Sequence, residues 1–253
     1  MKRHLTIFGR VLLAFSIFMV LVSCDKEEPA SAATTFGFKV LVFTETAGFR
    51  HGSIPDGVQA IKRLGENNNF AVDVSNVSEV FIQDNLSQYA AVIFLNTTGD
   101  VLTDEQQSVF ESYIKSGGGF VGVHSACDTE YQWPWYGSLL GAYFHSHPQV
   151  QQGTLNIMGN AHLSTIHLPE KWTRIDEWYN MVISTNQDLN ILIMIDENSY
   201  VGGNMNNKHP ISWFHEYDGG RSWYTAMGHT KESFTEELYL MHLLGGIFWV
   251  AGK

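Results

Sequence analysis

The stretch GGGFVGVHSACD, residues 117–128, reads as a short strand that ends in a sharp turn. Gly117 to Gly119 lead into an apolar strand, Phe120 to Val123, and the turn follows at His124, Ser125 and Ala126. In an open α/β sheet, ligands bind in the crevice outside the carboxyl ends of the strands. A G-x-X-x-small turn at such an end lifts the central side chain into that crevice, as a nucleophile elbow does. Here the central residue is His124, between Gly122 and Ala126, so the group on display is an acid/base or a metal ligand. A helix C-cap alone would account for the glycines. It would not account for the polar run His124, Ser125, Asp128 and Thr129.

The segments before the turn alternate between strand and helix. Phe38 to Phe43 is a continuous apolar run, as expected of a strand covered on both faces. A polar loop, Thr44 to Ser53, separates it from a helix that starts at Ile54-Pro55. Ile54, Val58, Ile61 and Leu64 follow helical spacing, and Gly65 with Asn67 to Asn69 ends the helix. Phe70 to Ser75 and Ala90 to Leu95 are the next strands, with a short helix or turn in Ser78 to Leu86. Thr103 and Gln106 form a capping-box pattern ahead of a helix with Val109, Tyr113 and Ile114 on its apolar side. This alternation predicts a parallel, doubly wound sheet.

The second half changes character. Tyr131 to Pro148 is aromatic and Gly-rich, with a helical stretch at Trp135 to Leu140. Gln151 to Met158 alternates like an edge strand, and Ile191 to Ile195 is a further strand. Ile211 to Tyr217 and Arg221 to Met227 flank Asp218-Gly219-Gly220, which reads as a β-hairpin. Phe234 to Trp249 forms a closing helix.

The N-terminus has the pattern of a processing segment. Lys2, Arg3 and Arg10 precede an apolar core, Val11 to Val22, that is short for a membrane span. Leu21-Val22-Ser23-Cys24 resembles the bacterial lipobox, which implies cleavage before Cys24 and lipidation of its sulfur. Residues 1–23 are then a signal peptide, and residues 24–37 a lipidated cysteine and flexible tether. Residues 38–253 form the folded domain. The expected location is membrane-anchored, on the periplasmic side or the cell surface. The acidic tract Asp25 to Glu28 resembles a surface-export signal of some Gram-negative lipoproteins and equally fits a solvated linker.

Of 15 basic residues, Lys2, Arg3 and Arg10 belong to that segment, which leaves 12 against 26 acidic ones, a formal charge of −14. With no basic run, nucleic acid is not an expected partner. Of the 2 cysteines, only Cys127 would remain free, so no intramolecular disulfide is expected. Cys127 lies three residues past the displayed position, where a starting helix would bury it as a spectator thiol.

The loops on the carboxyl rim share an unusual set of groups. They offer Glu45, Arg50 and His51; Asn96, Thr97 and Asp100; His124 and Asp128; His145 and His147; and Glu177 and His229. His162, His167, His209, His215 and His242 read instead as structural. Imidazoles with one carboxylate can hold a divalent metal ion with an open position. They can also shuttle protons, with Asp128 or Glu177 fixing a tautomer. No compact metal motif such as HExxH is present. Trp133, Trp135, Tyr136, Trp178 and Tyr179 are candidate flat faces for a sugar ring, or core residues.

GFRHGSI at 48–54, GGGFVGVHSACDT at 117–129, WPWYGSLLGAYFHSHP at 133–148, DEWYN at 176–180, HPISWFHEYDGGRSWYTAMGHT at 209–230 and LLGGIFWVAGK at 243–253 together resemble the ThuA-like family, named for trehalose utilisation. The resemblance spans essentially residues 38–252. It implies a flavodoxin-like, class I glutamine amidotransferase-like three-layer α/β sandwich, with a mainly parallel sheet and an added β-hairpin. His124 replaces the amidotransferase cysteine, and His215-Glu216 lacks the residue between histidine and glutamate in H-x-E, so glutaminase activity is not expected. The resemblance further implies carbohydrate processing, on glycosides or oxidised (3-keto) sugars, by a hydrolase, lyase or isomerase. The expected catalytic set is His124 as base or ligand, Asp128 as its orienter, and His51, Glu177 and His229. Arg50, His147, Trp135, Trp178 and Tyr179 are the expected sugar-binding residues. A rival reading is a non-catalytic sugar-binding lipoprotein of a glycan-uptake system, and a third is a Cys127-dependent amidotransferase or peptidase relative.

Overall fold

The computed structural model describes residues 36–184 and 188–253. The expected signal peptide, Cys24 and most of the expected tether lie outside the described residues. No helix among the described residues is long and apolar enough to cross a membrane.

Four strands come from the apolar runs of the first half: β1 (Phe38–Phe43), β2 (Phe70–Ser75), β3 (Ala91–Leu95) and β4 (Gly119–Val123). All five residues of β3 and of β4 are buried, as a strand covered on both faces requires. The strands pair in parallel in the order β2-β1-β3-β4. The chain therefore winds one way from β1 and the other way from β3, which makes a switch point between β1 and β3. Right-handed crossovers then place α1 (Ile54–Asn67) and α3 (Asp104–Lys115) on opposite faces. The Thr103–Gln106 capping box forms as the sequence predicts.

The hairpin is built into the sheet. Its second arm, β11 (Gly220–Thr225), pairs in parallel with β4, and its first arm, β10 (Pro210–Tyr217), turns the sheet antiparallel. β9 (Asn190–Ile195), β6 (Gln151–Ile157) and β7 (Lys171–Asp176) continue it to nine strands. The fold is thus an α/β sandwich on a mixed sheet, parallel through β2, β1, β3, β4 and β11. β6 is not the edge strand that its alternation suggests. It lies between β9 and β7, and β7 forms the edge. Both strands alternate because only one of their faces meets the core, which is a property of sheet ends as well as of edges.

β5 (Ala142–Ser146) and β8 (Asn180–Ile183) form a small antiparallel ribbon. The short helices α2 (Gln83–Leu86) and α4 (Pro134–Leu140) complete the first-half and central layers. α5 (Glu237–Val250) closes the fold against β4, β11 and α1. It starts three residues later than Phe234, because Glu232–Thr235 forms a separate 3-10 turn. α5 is buried on much of its circumference, and Gly246 lets the Trp223 ring approach where a Cβ would lie only 2.4 Å from it.

Candidate functional site: a histidine and carboxylate cluster

β4 ends where the sequence places the elbow. His124 has φ +49°, a left-handed conformation that a non-glycine residue adopts only when its surroundings impose it. The imposition is visible. A Cβ on Gly122 would lie 2.9 Å from the Tyr224 ring and 3.4 Å from Ala126, so the turn needs small residues on both sides. Tyr224 Oη donates to the His124 carbonyl at 2.8 Å, and Tyr136 Oη donates to the Ala126 carbonyl at 2.7 Å. Residues His124–Asp128 then form a 3-10 turn. Cys127 is fully buried there, and burial pushes its thiol up to about 12, as fits a spectator.

The His124 side chain is also fully buried. Its Nδ1 lies 2.7 Å from the Ala226 carbonyl oxygen, just past β11. A carbonyl only accepts, so Nδ1 carries a hydrogen, and in the neutral imidazole Nε2 turns a lone pair to the crevice. That Nε2 is 3.2 Å from His229 Nδ1 and 3.5 Å from Glu177 Oε2. His229 Nδ1 is itself 3.0 Å from Glu177 Oε2. His51, from the loop after β1, places its ring centroid 4.8 Å from that of His124 and 5.1 Å from that of His229. Its Nδ1 lies 3.3 Å from Ser125 Oγ. One donor atom from each of His51, His124, Glu177 and His229 falls within 4.8 Å of the others.

The electrostatics follow from crowding and burial. Burial, aided by the neighbouring His124 and His229, pulls His51 down to about 3, so its imidazole is neutral. Burial alone would raise Glu177, but the adjacent His124 and His229 imidazoles outweigh it and hold the carboxyl well below its usual range. Burial would likewise lower His229, but Glu177 outweighs it and raises that group. Any positive charge in the cluster is therefore drawn to the His229–Glu177 side.

Asp176 organises this arrangement, a role its sequence does not announce. It is fully buried, the last residue of β7, on the face that also carries Trp172 and Arg174. Its carboxylate accepts the backbone N–H of Glu177 at 2.9 Å, of Gly228 at 2.9 Å and of His229 at 3.1 Å. Burial opposes its ionisation, and the adjacent Arg174 outweighs burial and keeps Asp176 below the usual carboxylate range. Arg174 also donates to Glu236 at 2.9 Å and to Ser233 at 2.8 Å. The signal was an Arg and an Asp at i and i+2 on the inward face of an alternating strand. Asn96 (φ +52°) adds a second tie, with Nδ2 donating to the Gly228 carbonyl at 3.1 Å and to Ser53 Oγ at 3.2 Å.

Of the residues singled out from sequence, His51, His124, Glu177 and His229 meet. His147 joins them, with Nδ1 2.9 Å from Glu177 Oε1. The Tyr179 ring lies under His124 at 4.2 Å between centroids. Asp128 does not orient His124, because the Ala226 carbonyl occupies that position. Asp128 accepts from Tyr131 Oη at 2.6 Å instead, and burial raises its carboxyl despite that bond. Arg50 is exposed and donates to the Thr44 carbonyl at 3.0 Å.

Trp135 and Trp178 are corrected as sugar faces. Trp178 is fully buried against Gly153, with Nε1 donating to the Gln151 carbonyl at 3.0 Å. Trp135 bonds Asp218 at 2.8 Å in the β10–β11 turn, at the end of the sheet away from the crevice. The aromatic group that sequence reading passed over is Phe49, 67% exposed, whose ring meets His51 edge-on at 4.9 Å. A cleft of about 750 Å³ among Tyr89, Tyr113 and Arg221 also lies at the amino ends of the parallel strands, where open α/β sheets do not place their chemistry.

The sequence profile of a family described as ThuA, trehalose utilisation, matches residues 39–250. No curated protein matches the chain significantly. Among solved structures, a ThuA-like protein from Bacteroides uniformis is 23% identical with a TM-score of 0.71, over 88% of this chain and 95% of that one. A ThuA-like protein from Parabacteroides merdae is 22% identical with a TM-score of 0.72, over 85% and 91%. A β-galactosidase from Bacillus circulans is 13% identical with a TM-score of 0.57, over 85% of this chain and 31% of that one. At these identities the likeness concerns the fold.

Proposed function

Because the chain belongs to the ThuA family, described by trehalose utilisation, we propose that it is a carbohydrate-processing enzyme whose reacting centre is the cluster of His51, His124, Glu177 and His229. The substrate is a glycoside or an oxidised (3-keto) sugar, and the reaction a hydrolysis, elimination or isomerisation. The observation that carries this reading is the convergence of the four groups within 4.8 Å at the carboxyl end of the parallel strands. A buried cluster of imidazoles around an ionised carboxylate is suited to moving protons or polarising a sugar oxygen.

A 3-keto group acidifies the C–H between the keto carbon and the anomeric carbon. A base in the cluster takes that proton, the electron pair forms a double bond to the anomeric carbon as its C–O bond breaks, and a proton returned by the cluster releases the leaving group as the free alcohol. No glycosidase carboxylate pair is needed for this cleavage. Ala226 and Ser125 hold the imidazoles, Tyr179 supports His124 from below, and Phe49 offers an exposed face to the sugar ring.

The rival reading, a sugar-binding lipoprotein without chemistry, drew on Trp135 and Trp178 as stacking faces. Neither lines the crevice, which leaves Tyr179 and Phe49 as the aromatic groups beside the cluster. We retain the proposal that Cys24 carries lipid and tethers the domain on the periplasmic or outer surface of a membrane. Cys24→Ser should abolish fatty-acid labelling and release the chain into the soluble fraction, and unchanged labelling would overturn the anchor.

The test of function is turnover of 3-keto-glycosides and of the parent glycosides by wild type and His124→Asn. Asparagine tolerates a positive φ but lacks the imidazole. Turnover by wild type that falls by at least about a hundredfold in the folded variant supports the proposal. Full turnover by the variant sinks it.

A further inference from the structure

We infer that His51, His124, Glu177 and His229 form the binding site of one divalent transition-metal ion of the zinc class. This deepens the proposed function, resting on that reading for the cluster as the reacting centre, and it names the cofactor class the centre uses.

The Ala226 carbonyl takes the only hydrogen of a neutral His124 on Nδ1, so Nε2 faces Glu177 Oε2 at 3.5 Å as acceptor against acceptor. His229 Nδ1 lies against both, at 3.2 Å and 3.0 Å. One N–H on His229 cannot satisfy every group turned inward, and His51 brings a further imidazole to the same point. His51, His124 and Glu177 are 5%, 0% and 6% exposed, so water solvates this centre poorly. Converging, buried lone pairs with one carboxylate are the arrangement a cation relieves.

The spacings fit an ion. With metal–nitrogen and metal–oxygen bonds near 2.0–2.1 Å, tetrahedral ligand atoms stand roughly 3.3 Å apart. The three separations among His124, His229 and Glu177 are 3.0, 3.2 and 3.5 Å. Three imidazoles and one carboxylate select zinc, iron, cobalt or nickel over magnesium and calcium, which favour all-oxygen shells.

The surroundings are those of a metal centre. A ligand histidine is held through its other nitrogen by a carbonyl, carboxylate or hydroxyl. Ala226 serves His124, and Ser125 serves His51. Glu177 keeps its second oxygen on His147, and Asp176 fixes the backbone of both Glu177 and His229. The side chains of His229 and His147 are 25% and 43% exposed, so the centre opens on that side, where a sugar oxygen can approach and be polarised.

The experiment uses the full chain purified without chelators. Elemental analysis should give near-stoichiometric zinc-class metal that chelation removes. Returning Zn²⁺ or Co²⁺ should raise the melting temperature, whereas Mg²⁺ and Ca²⁺ should not. Co²⁺ should also give visible absorption bands that are absent in His51→Ala and His229→Ala. Ser125→Ala should weaken the ion about tenfold, and His145→Ala, on the exposed rim, should bind normally. A folded wild-type chain with no metal, no melting response and no Co²⁺ spectrum overturns the inference. If that metal-free chain still turns over sugar, the proposed function stands without the ion. A metal-loaded chain that turns over no sugar leaves the ion site standing and overturns the function.

Discussion

His124 Nε2 and His229 Nδ1, 105 residues apart in the chain, face each other at 3.2 Å. Neither histidine could be placed there by its own segment. His124 is lifted by the elbow after β4, and His229 follows Gly228 (φ +113°), where a Cβ would lie 2.6 Å from Tyr239 Oη. The parallel pairing of β4 with β11 brings the two strand ends side by side, and Asp176 from the far edge of the sheet holds His229 by its backbone.

That dependence makes Asp176 a positioning residue with a large stability effect. Asp176→Asn leaves Arg174 with less compensation in a buried place, at a cost of about 3 kcal/mol. Urea unfolding at neutral pH should show the loss. Turnover should fall as well, even where the variant remains folded, because Glu177 and His229 lose a shared anchor.

Stability should depend on pH through buried histidines before it depends on carboxylates. His242 in α5 is fully buried, and burial pulls it from 6.5 down to about 3. Its folded value lies below its unfolded one, so the unfolded chain takes up a proton that the folded chain refuses. The contribution is fully present above about pH 6.5 and is lost as pH falls toward 3, by up to about 1.4 kcal/mol per pH unit. Asp176, whose folded value is depressed, adds its own loss only below about pH 4. Unfolding free energies between about pH 7.5 and pH 4.5 should show the slope, and His242→Leu should make it shallower, with the remainder carried by groups such as His51, whatever its effect on stability at pH 7.5.

The aromatic residues should separate into three behaviours. Trp178→Ala should destabilise the fold by about 3–5 kcal/mol, because it empties a buried site against Gly153. Trp135→Ala should leave sugar affinity unchanged. Phe49→Ala should leave the melting temperature unchanged and weaken sugar binding by about 1 kcal/mol, roughly fivefold. Calorimetry with the turned-over glycoside and thermal unfolding together check all three.

Cys127 should behave as a core side chain. Its thiol is pushed up to about 12 by burial, so iodoacetamide at neutral pH should leave it unmodified and leave turnover intact. Unfolding in urea should expose it to rapid alkylation. Rapid modification of the native chain would revive a role for the thiol.

Local chemistry made much of this molecule legible. β1 and β2 match their predicted bounds, and β3 and β4 match to within one residue, because an unbroken apolar run or a clear alternation is read over a few neighbours. α3 starts after Thr103 because the capping box is a short-range device. His124 could be named as the displayed residue because Gly122 and Ala126 state the steric demands of the turn. His51, Glu177 and His229 followed from the rule that strand-end loops share a rim.

What no neighbour of a residue records was decided by tertiary structure. Whether Trp178 faces a sugar or the core depends on how the chain leaves β7, and Glu177 took the place toward the cluster. The tautomer of His124 depends on the Ala226 carbonyl, 102 residues later, rather than on nearby Asp128. β6 became internal only when β7 paired outside it. The sequence by itself determined the parallel half of the fold and the residues of the cluster, through short-range sterics and periodicity. Strand order and long-range hydrogen bonds alone decided which nitrogen and oxygen atoms point at one another, and those atoms define the site's chemistry.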